Sequence, residues 1–132
     1  MPIESTIIPA ERLVLTRSWG VVTFEEVVAH QNKLLADPLF NPEYDQLGNH
    51  ADAESFLGTA EQWALLGRRK LFSSTSFRAH VATRDSVYGL LRLAATHHEL
   101  EHKHEFANIF RDEENAREWL SQMRAKRETT CT

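Results

Sequence analysis

The chain has 132 residues, a formal net charge of −4 and a sequence pI near 6.0. This length predicts a single domain with one hydrophobic core. The acidic balance excludes an overall basic field, so we expect no nucleic-acid partner and at most a local, peripheral contact with a membrane.

The chain has a single cysteine, Cys131, which excludes an intrachain disulfide framework and a cysteine-based metal knuckle. Its first residues lack a basic segment followed by an apolar run, and no stretch of about 18 apolar residues occurs. We therefore expect a cytoplasmic protein. Residues 1–128 are predicted to form one domain and residues 129–132 a polar tail.

Two strands are predicted first along the chain. Residues 3–8 are rich in β-branched side chains, and residues 12–19 alternate polar with apolar side chains until Gly20 breaks the pattern. Thr23 and Glu26 then form a capping box, which predicts a helix that runs to about residue 37.

Alternating strands and helices follow. The next strand, residues 44–51, carries the weakest signal because it contains Gly48 and Asn49. Thr59 and Gln62 form a second capping box, which predicts a helix at 59–71. The later predicted elements are a strand at 77–83, a helix from Asp85, a strand at 105–110 and a helix from Asp112. The order β-β-α-β-α-β-α-β-α predicts an α/β fold, in which four helices cover a mixed sheet of about five strands.

Segments spread over most of the chain resemble a known family. They are residues 20–26, 35–47, 78–82, 88–92 and 110–120. The Asp37-Pro38-Leu39-Phe40-Asn41-Pro42 run and the Ala-Arg-Glu-Trp-Leu run at 116–120 are the most distinctive. These segments resemble the SpoIIAA-like family of small STAS-type proteins. The resemblance implies a STAS-like fold of the type used by anti-sigma-factor antagonists, and family members have been thought to associate with membranes or hold apolar ligands.

The phosphorylation switch of such antagonists is not matched by the corresponding segment. Residues 52–59 lack its Asp-Ser-x-Gly pattern, and Asn49 stands where the family has an aspartate. Ser55 and Thr59 are the best positions for a phosphosite, since a helix N-terminus favours a phosphate. Capping and turn roles are the simpler interpretation of both residues.

A histidine-rich segment contains His98, Glu101 and His102 in the order H-x-x-E-H, which formally matches an inverted zinc-protease motif. On a helix, His98 and His102 would share one face, as two metal ligands must. The match is short and too little chain follows it for such a scaffold. A polar helix end is therefore the preferred interpretation, and a metal-dependent hydrolase is the weaker alternative.

No other catalytic group is indicated by the sequence. Ser18, Ser86 and Ser121 have no activating context, and the isolated His30, His50 and His80 are typical of structural histidines. We therefore expect a protein that is not an enzyme and that uses no cofactor.

The helix predicted at 59–71, together with Phe72, combines surplus apolar side chains with a basic cluster. Such a combination is typical of a partner groove or a membrane-surface contact. The candidate partner or ligand surface consists of Trp63, Leu65, Leu66, Arg68, Arg69, Lys70 and Phe72.

Two hypotheses follow from this surface. The leading one is a regulatory module that acts through contacts with a protein partner, and a homodimer is one form that such contacts would take. The alternative is a carrier or sensor of a lipid-like apolar small molecule, with a ligand pocket near Trp63 and Trp119.

Overall fold

A computed structural model describes residues 2–69, 71–73, 75–101 and 106–130 of the chain. The strands are β1 (Ile3–Ile8), β2 (Leu13–Thr23), β3 (Asp45–Leu57), β4 (Phe77–Val81) and β5 (Phe106–Phe110). The helices are α1 (Phe24–Ala36), α2 (Ala60–Arg68), α3 (Asp85–Glu101) and α4 (Glu113–Thr130). The predicted α/β fold, with a mixed sheet and four helices, is confirmed.

The five strands lie side by side in chain order. β1 runs antiparallel to β2 and joins it through a 3-10 turn at Pro9–Glu11, whereas β2, β3, β4 and β5 are all parallel. A parallel neighbour requires a crossover, which α1, α2 and α3 provide in turn.

Two strands are longer than the sequence predicted. Gly20 does not end β2: it takes a left-handed φ of 62°, which glycine adopts without steric cost, and the strand continues to Thr23. The pairing with β3 shifts register between Arg17 and Trp19 and again after Gly20, as it does at a β-bulge. β3 likewise continues to Leu57, past the predicted end at residue 51.

The helix starts follow the predicted capping boxes. The Thr23 hydroxyl accepts a hydrogen bond from the Glu26 amide, and the Glu26 carboxylate accepts one from the Thr23 amide. α2 begins with the same arrangement but ends at Arg68, three residues before the predicted end. α4 continues to Thr130, so the first two residues of the predicted polar tail are helical, while Cys131 and Thr132 lie outside the described residues.

One face of the sheet packs against α4. Its core contains strand residues Leu13, Leu47, Phe77, Ala79 and Val81 together with Ala116 and Leu120 of α4. Asp45, which is buried at the start of β3, fixes the far end of this helix. Its carboxylate accepts two hydrogen bonds of 2.8 Å from Arg127 and lies 2.9 Å from Nε of Arg124.

The other face lies under α1, α2 and α3. Leu34 of α1 packs with Val14 and Phe72 near β2, and Val87 of α3 packs with Ile109 of β5. α2 packs mainly against α3 and α1 rather than on the strands, and a cavity remains between it and the sheet. Within the described ranges, every helix is too short or too polar to cross a membrane.

Candidate functional site

The sheet face that looks toward α1, α2 and α3 carries polar side chains at its centre. Because successive residues of a strand point to opposite faces, every second residue contributes to this polar floor. The polar floor consists of Thr16 and Ser18 of β2, Gln46, Gly48 and His50 of β3, and Arg78 and His80 of β4.

Three of these side chains form a hydrogen-bonded row. The Ser18 hydroxyl lies 2.6 Å from Nδ1 of His50, and Nε2 of His50 lies 3.2 Å from Nδ1 of His80. The two imidazole rings are nearly parallel, with an interplanar angle of 21°. If Ser18 donates to His50, then His50 donates to His80, and the hydrogen of His80 lies on Nε2.

Gly48 makes room for this row. It pairs with His80 across the sheet, and a Cβ atom at residue 48 would lie 2.6 Å from Nδ1 of His80 and 2.9 Å from Nε2 of His50. Any larger residue would therefore push the two rings apart. The glycine that weakened the sequence signal for β3 is thus required by the histidines on and beside that strand.

A second row links β1 to α1. The Ser5 hydroxyl lies 2.7 Å from Nε2 of His30 and 2.7 Å from Oγ1 of Thr16. Oγ1 of Thr16 also accepts a hydrogen bond of 2.9 Å from the side-chain amide of Gln46. These contacts fix the position of Gln46 in the polar floor and of His30, which belongs to α1, beside it.

A cavity of about 200 Å³ lies above the polar floor. Apolar side chains from all three covering helices and from the segment after α2 form its walls. They include Val27, Leu34, Trp63, Leu66, Leu71, Phe72, Leu90, Leu91, Ala94 and Ala95. The cavity therefore has apolar walls and a polar floor, a combination that is found in sites for small organic ligands.

Burial keeps the two central histidines neutral. Loss of solvation, with a smaller effect from His30, lowers the pKa of His50 to about 4. Loss of solvation, followed by the effects of His50 and Arg78, lowers the pKa of His80 to about 3. The pKa of His30 is also lowered, by burial and by Lys33.

The structure separates the residues of the predicted partner or ligand surface. Trp63, Leu66, Arg69 and Phe72 line the cavity, whereas the side chain of Leu65 is 52% exposed on the outside of α2. Phe72 is buried against Leu34 and Val14 and so does not belong to an outer surface. The side chain of Arg68 and the whole of Lys70 lie outside the described residues.

The expected pocket near both Trp63 and Trp119 needs correction. Trp63 is buried among Phe24 and Phe56 on the cavity side of the sheet. Trp119 belongs to α4 and packs against Phe77 on the opposite side. The sheet itself separates the two indoles, so only Trp63 contributes to the cavity.

The phosphosite and metal predictions are not tested by the structure. Ser55 lies within β3 rather than at a helix start, while the Thr59 hydroxyl caps α2 by accepting from the Gln62 amide at 3.1 Å. The side chains of His98 and Glu101, and residue His102, lie outside the described part of the chain. Among the side chains that are described, no three acidic, histidine or cysteine groups cluster as metal ligands do.

The histidine rows were missed by the sequence analysis. Taken one at a time, His30, His50 and His80 are typical of structural histidines, and Ser18 has no activating context. His50 does have partners on both ring nitrogens, as a structural histidine should. The available signal is the shared alternation: polar residues two apart lie on one face of their own strand, and three neighbouring strands carry this pattern. The register between the strands then decides whether these residues meet.

The fold is similar to that of a solved protein. The crystal structure of an uncharacterised protein of the DUF3478 family, with a SpoIIAA-like fold, from Shewanella loihica PV-4 superposes with a TM-score of 0.55 at 19% sequence identity. The match covers 89% of this chain and 93% of that chain. The sequence matches no protein-family model and no curated protein. The SpoIIAA-like fold that the sequence resemblance implied is therefore confirmed, and function has to be argued from the site.

Replacing Gly48 tests the packing of the histidine row. We expect Gly48→Ala to lower the free energy of unfolding by about 1–3 kcal/mol, because the new methyl group overpacks two buried rings. Gly89→Ala is the matched control: it lies in α3 with nothing near the added methyl group, so it should raise stability by roughly 0.5–1 kcal/mol. Urea unfolding measures both, and equal effects would contradict the packing described here.

The neutral histidines predict a loss of stability in acid. Unfolding returns both rings to a pKa near 6.5, so below that pH the unfolded chain binds protons that the folded chain does not. The free energy of unfolding should fall by up to about 1.4 kcal/mol per pH unit for each histidine as the pH drops from about 6.5 toward 4.

His80→Gln isolates the contribution of one ring, because glutamine hydrogen-bonds without titrating. Urea unfolding at pH values from 4.5 to about 8 gives the free energy of unfolding of the unchanged chain and of His80→Gln. The difference between these two free energies should narrow steadily below about pH 6.5. A difference that is independent of pH would show that His80 is not kept neutral by the fold.

Proposed function

We propose that this chain is a non-enzymatic binding module that holds a small, largely apolar molecule in the cavity between α2 and the sheet. The observation that carries the proposal is the cavity itself, about 200 Å³ with apolar walls and convergent polar groups at its base. This volume is below the range of drug-sized sites, about 300–1,000 Å³, and so suits a ligand with a short chain.

The residues that line the cavity favour binding over catalysis. Ser18 has an exposed fraction of 0% and is not part of the lining, so a bound molecule would meet His50 and His80 before the serine. The one hydroxyl among the described lining residues is that of Thr16, which is engaged by Ser5 and Gln46. Covalent catalysis needs an accessible activated nucleophile, and these groups do not supply one.

Filling the cavity tests this function. We expect 1-octanol to change the fluorescence of Trp63 in a saturable titration, and this response should vanish in Trp63→Phe but persist in Trp119→Phe. Ala95→Phe places a ring into the cavity wall and should weaken octanol binding by about tenfold or more.

Ala36→Phe is the control for Ala95→Phe, since Ala36 is exposed at the end of α1. It should leave octanol binding within about threefold of the original, a difference of less than 1 kcal/mol. Absence of saturable binding to the unchanged chain, or equal binding to Ala95→Phe, would contradict a ligand cavity at this position.

A second function, protein contact through the outside of α2, is favoured by Leu65. This side chain is 52% exposed on the helix that covers the cavity, and Leu93 of the neighbouring α3 is 39% exposed. A partner bound there would contact the same helix as the ligand, which would link occupancy of the cavity to regulation. Peripheral membrane contact through this helix is the other use that the exposed leucine suits.

Charging Leu65 tests this second function, whereas Leu66 is unsuitable because it lines the cavity. We expect Leu65→Glu to lose binding to a partner protein, or to lose sedimentation with anionic vesicles. The reason is the cost of burying an unpaired charge in the contact. Leu35→Glu, at a 44% exposed leucine of α1, is the matched control and should behave like the unchanged chain. Identical behaviour of both variants in pull-down and vesicle sedimentation would exclude α2 as the contact.

A further inference from the structure

The row that joins Ser18, His50 and His80 ends at an unused ring nitrogen. Nδ1 of His80 lies 3.2 Å from Nε2 of His50, and among the described residues none hydrogen-bonds to Nε2 of His80. His80 lines the cavity and is partly exposed, whereas His50 is buried with both ring nitrogens engaged. Nε2 of His80 is therefore the ring nitrogen of this row that remains available to a molecule in the cavity.

Ser18, at the other end of the row, decides whether this nitrogen donates or accepts. Its hydroxyl lies 2.6 Å from Nδ1 of His50, and its exposed fraction is 0%. If the hydroxyl accepted from His50, its own hydrogen would be buried without an acceptor among the described residues. A buried donor in that condition is costly. Donation from Ser18 to His50 avoids this cost.

The direction set by Ser18 passes along the row. A neutral imidazole carries one hydrogen, so His50, which accepts at Nδ1, donates from Nε2 to Nδ1 of His80. His80 then carries its hydrogen on Nε2. Within the described part of the chain, the hydrogen of the row that lacks an acceptor thus lies at the cavity, where a ligand can supply one, and not at the sealed Ser18.

We propose that the polar end of the ligand is an uncharged carbonyl group, such as that of a ketone, whose oxygen accepts a hydrogen bond from Nε2 of His80. This proposal rests on the proposed ligand-binding function and specifies its chemistry.

A carbonyl oxygen suits this position because it accepts a hydrogen bond and brings no hydrogen of its own into the apolar walls. A hydroxyl group would also accept, but its hydrogen would need a further acceptor. An ammonium group has no lone pair with which to accept. A carboxylate would place a buried charge against a neutral donor, which costs more than it returns.

Two probes with one carbon skeleton test the direction of this hydrogen bond: 2-octanone and 2-octanol. We expect 2-octanone to bind the unchanged chain about threefold or more tightly than either enantiomer of 2-octanol, because the alcohol leaves its own hydrogen unpaired. If His80 presented a lone pair instead, the order would reverse, since a lone pair accepts from an alcohol and repels a carbonyl oxygen. Trp63 fluorescence or isothermal titration calorimetry gives the dissociation constants.

Nuclear magnetic resonance reports the position of each hydrogen directly. In isotopically labelled protein, long-range proton–nitrogen spectra distinguish the protonated from the unprotonated nitrogen of an imidazole. Near neutral pH we expect His50 and His80 to carry their hydrogens on Nε2. Addition of 2-octanone should shift the Nε2 signal of His80 more than that of His30. A hydrogen on Nδ1 of His80 would overturn the proposal.

Ser18 acts here as a positioning residue, and Ser18→Ala tests that role. Ser18 is not among the described lining residues, so the substitution changes no group that the ligand contacts there. The dissociation constants of the two probes should come within about twofold of each other, and a form of His80 with its hydrogen on Nδ1 should appear. Ser86→Ala, at an exposed serine of α3, is the matched control and should keep both the preference and the tautomers.

A preference for 2-octanone below about threefold in the unchanged chain, or tighter binding of 2-octanol, would overturn the carbonyl proposal and leave the apolar binding function standing. Failure of both probes to bind would contradict both proposals. A ketone preference that persists in Ser18→Ala, shown by circular dichroism to be folded, would overturn the role of Ser18. If that variant does not fold, the probe comparison and the spectra of the unchanged chain decide.

Discussion

The burial of polar side chains on one face of a parallel sheet is the constraint on which this structure depends. Parallel strands are normally covered on both faces and are apolar on both. Here one face is apolar and meets α4, whereas the centre of the other carries serine, threonine, glutamine, histidine and arginine. A buried polar group without a partner costs free energy, and the two hydrogen-bonded rows through His50 and His30 avoid much of that cost.

The cavity is a consequence of the same constraint. An apolar helix face gains little by packing on hydrogen-bonding groups, and α2 accordingly packs on its neighbouring helices rather than on the strands. Trp63 packs against Phe24 and Phe56 in the cavity wall, and Gln46 and Arg78 line the cavity from the sheet. The polar floor therefore creates both the volume and the chemical character of the site.

Local signals in the sequence predicted the elements, because they depend on residues close together. Thr23 with Glu26, and Thr59 with Gln62, begin their helices as capping boxes should. The continuation of β2 through Gly20 was not predictable in this way. A glycine can mark either the end of a strand or a bulge within it, and at Gly20, which has a positive φ, the strand continues. The fold class followed from the order of elements, and the extent of the strands did not.

The site depended on relations between strands that no single segment contains. Right-handed crossovers between strands laid down in one direction put α1, α2 and α3 on one face, which leaves α4 to cover the other. That rule, together with the strand order and the need to cover the second face, separates Trp63 of α2 from Trp119 of α4. The meeting of His50 with His80 additionally requires the pairing of Gly48 with His80, a register that the sequence does not specify.

The Asp45 contacts carry a consequence for how the chain matures as it is synthesised. Its carboxylate is made early, in β3, whereas Arg124 and Arg127 are separated from it by about eighty positions. Until α4 has been synthesised, this face of the sheet exposes its apolar side chains, and the Asp45 carboxylate lacks Arg124 and Arg127. Chaperones shield exposed apolar surface of this kind. Docking of α4 covers this face, which lies on the side of the sheet away from the cavity.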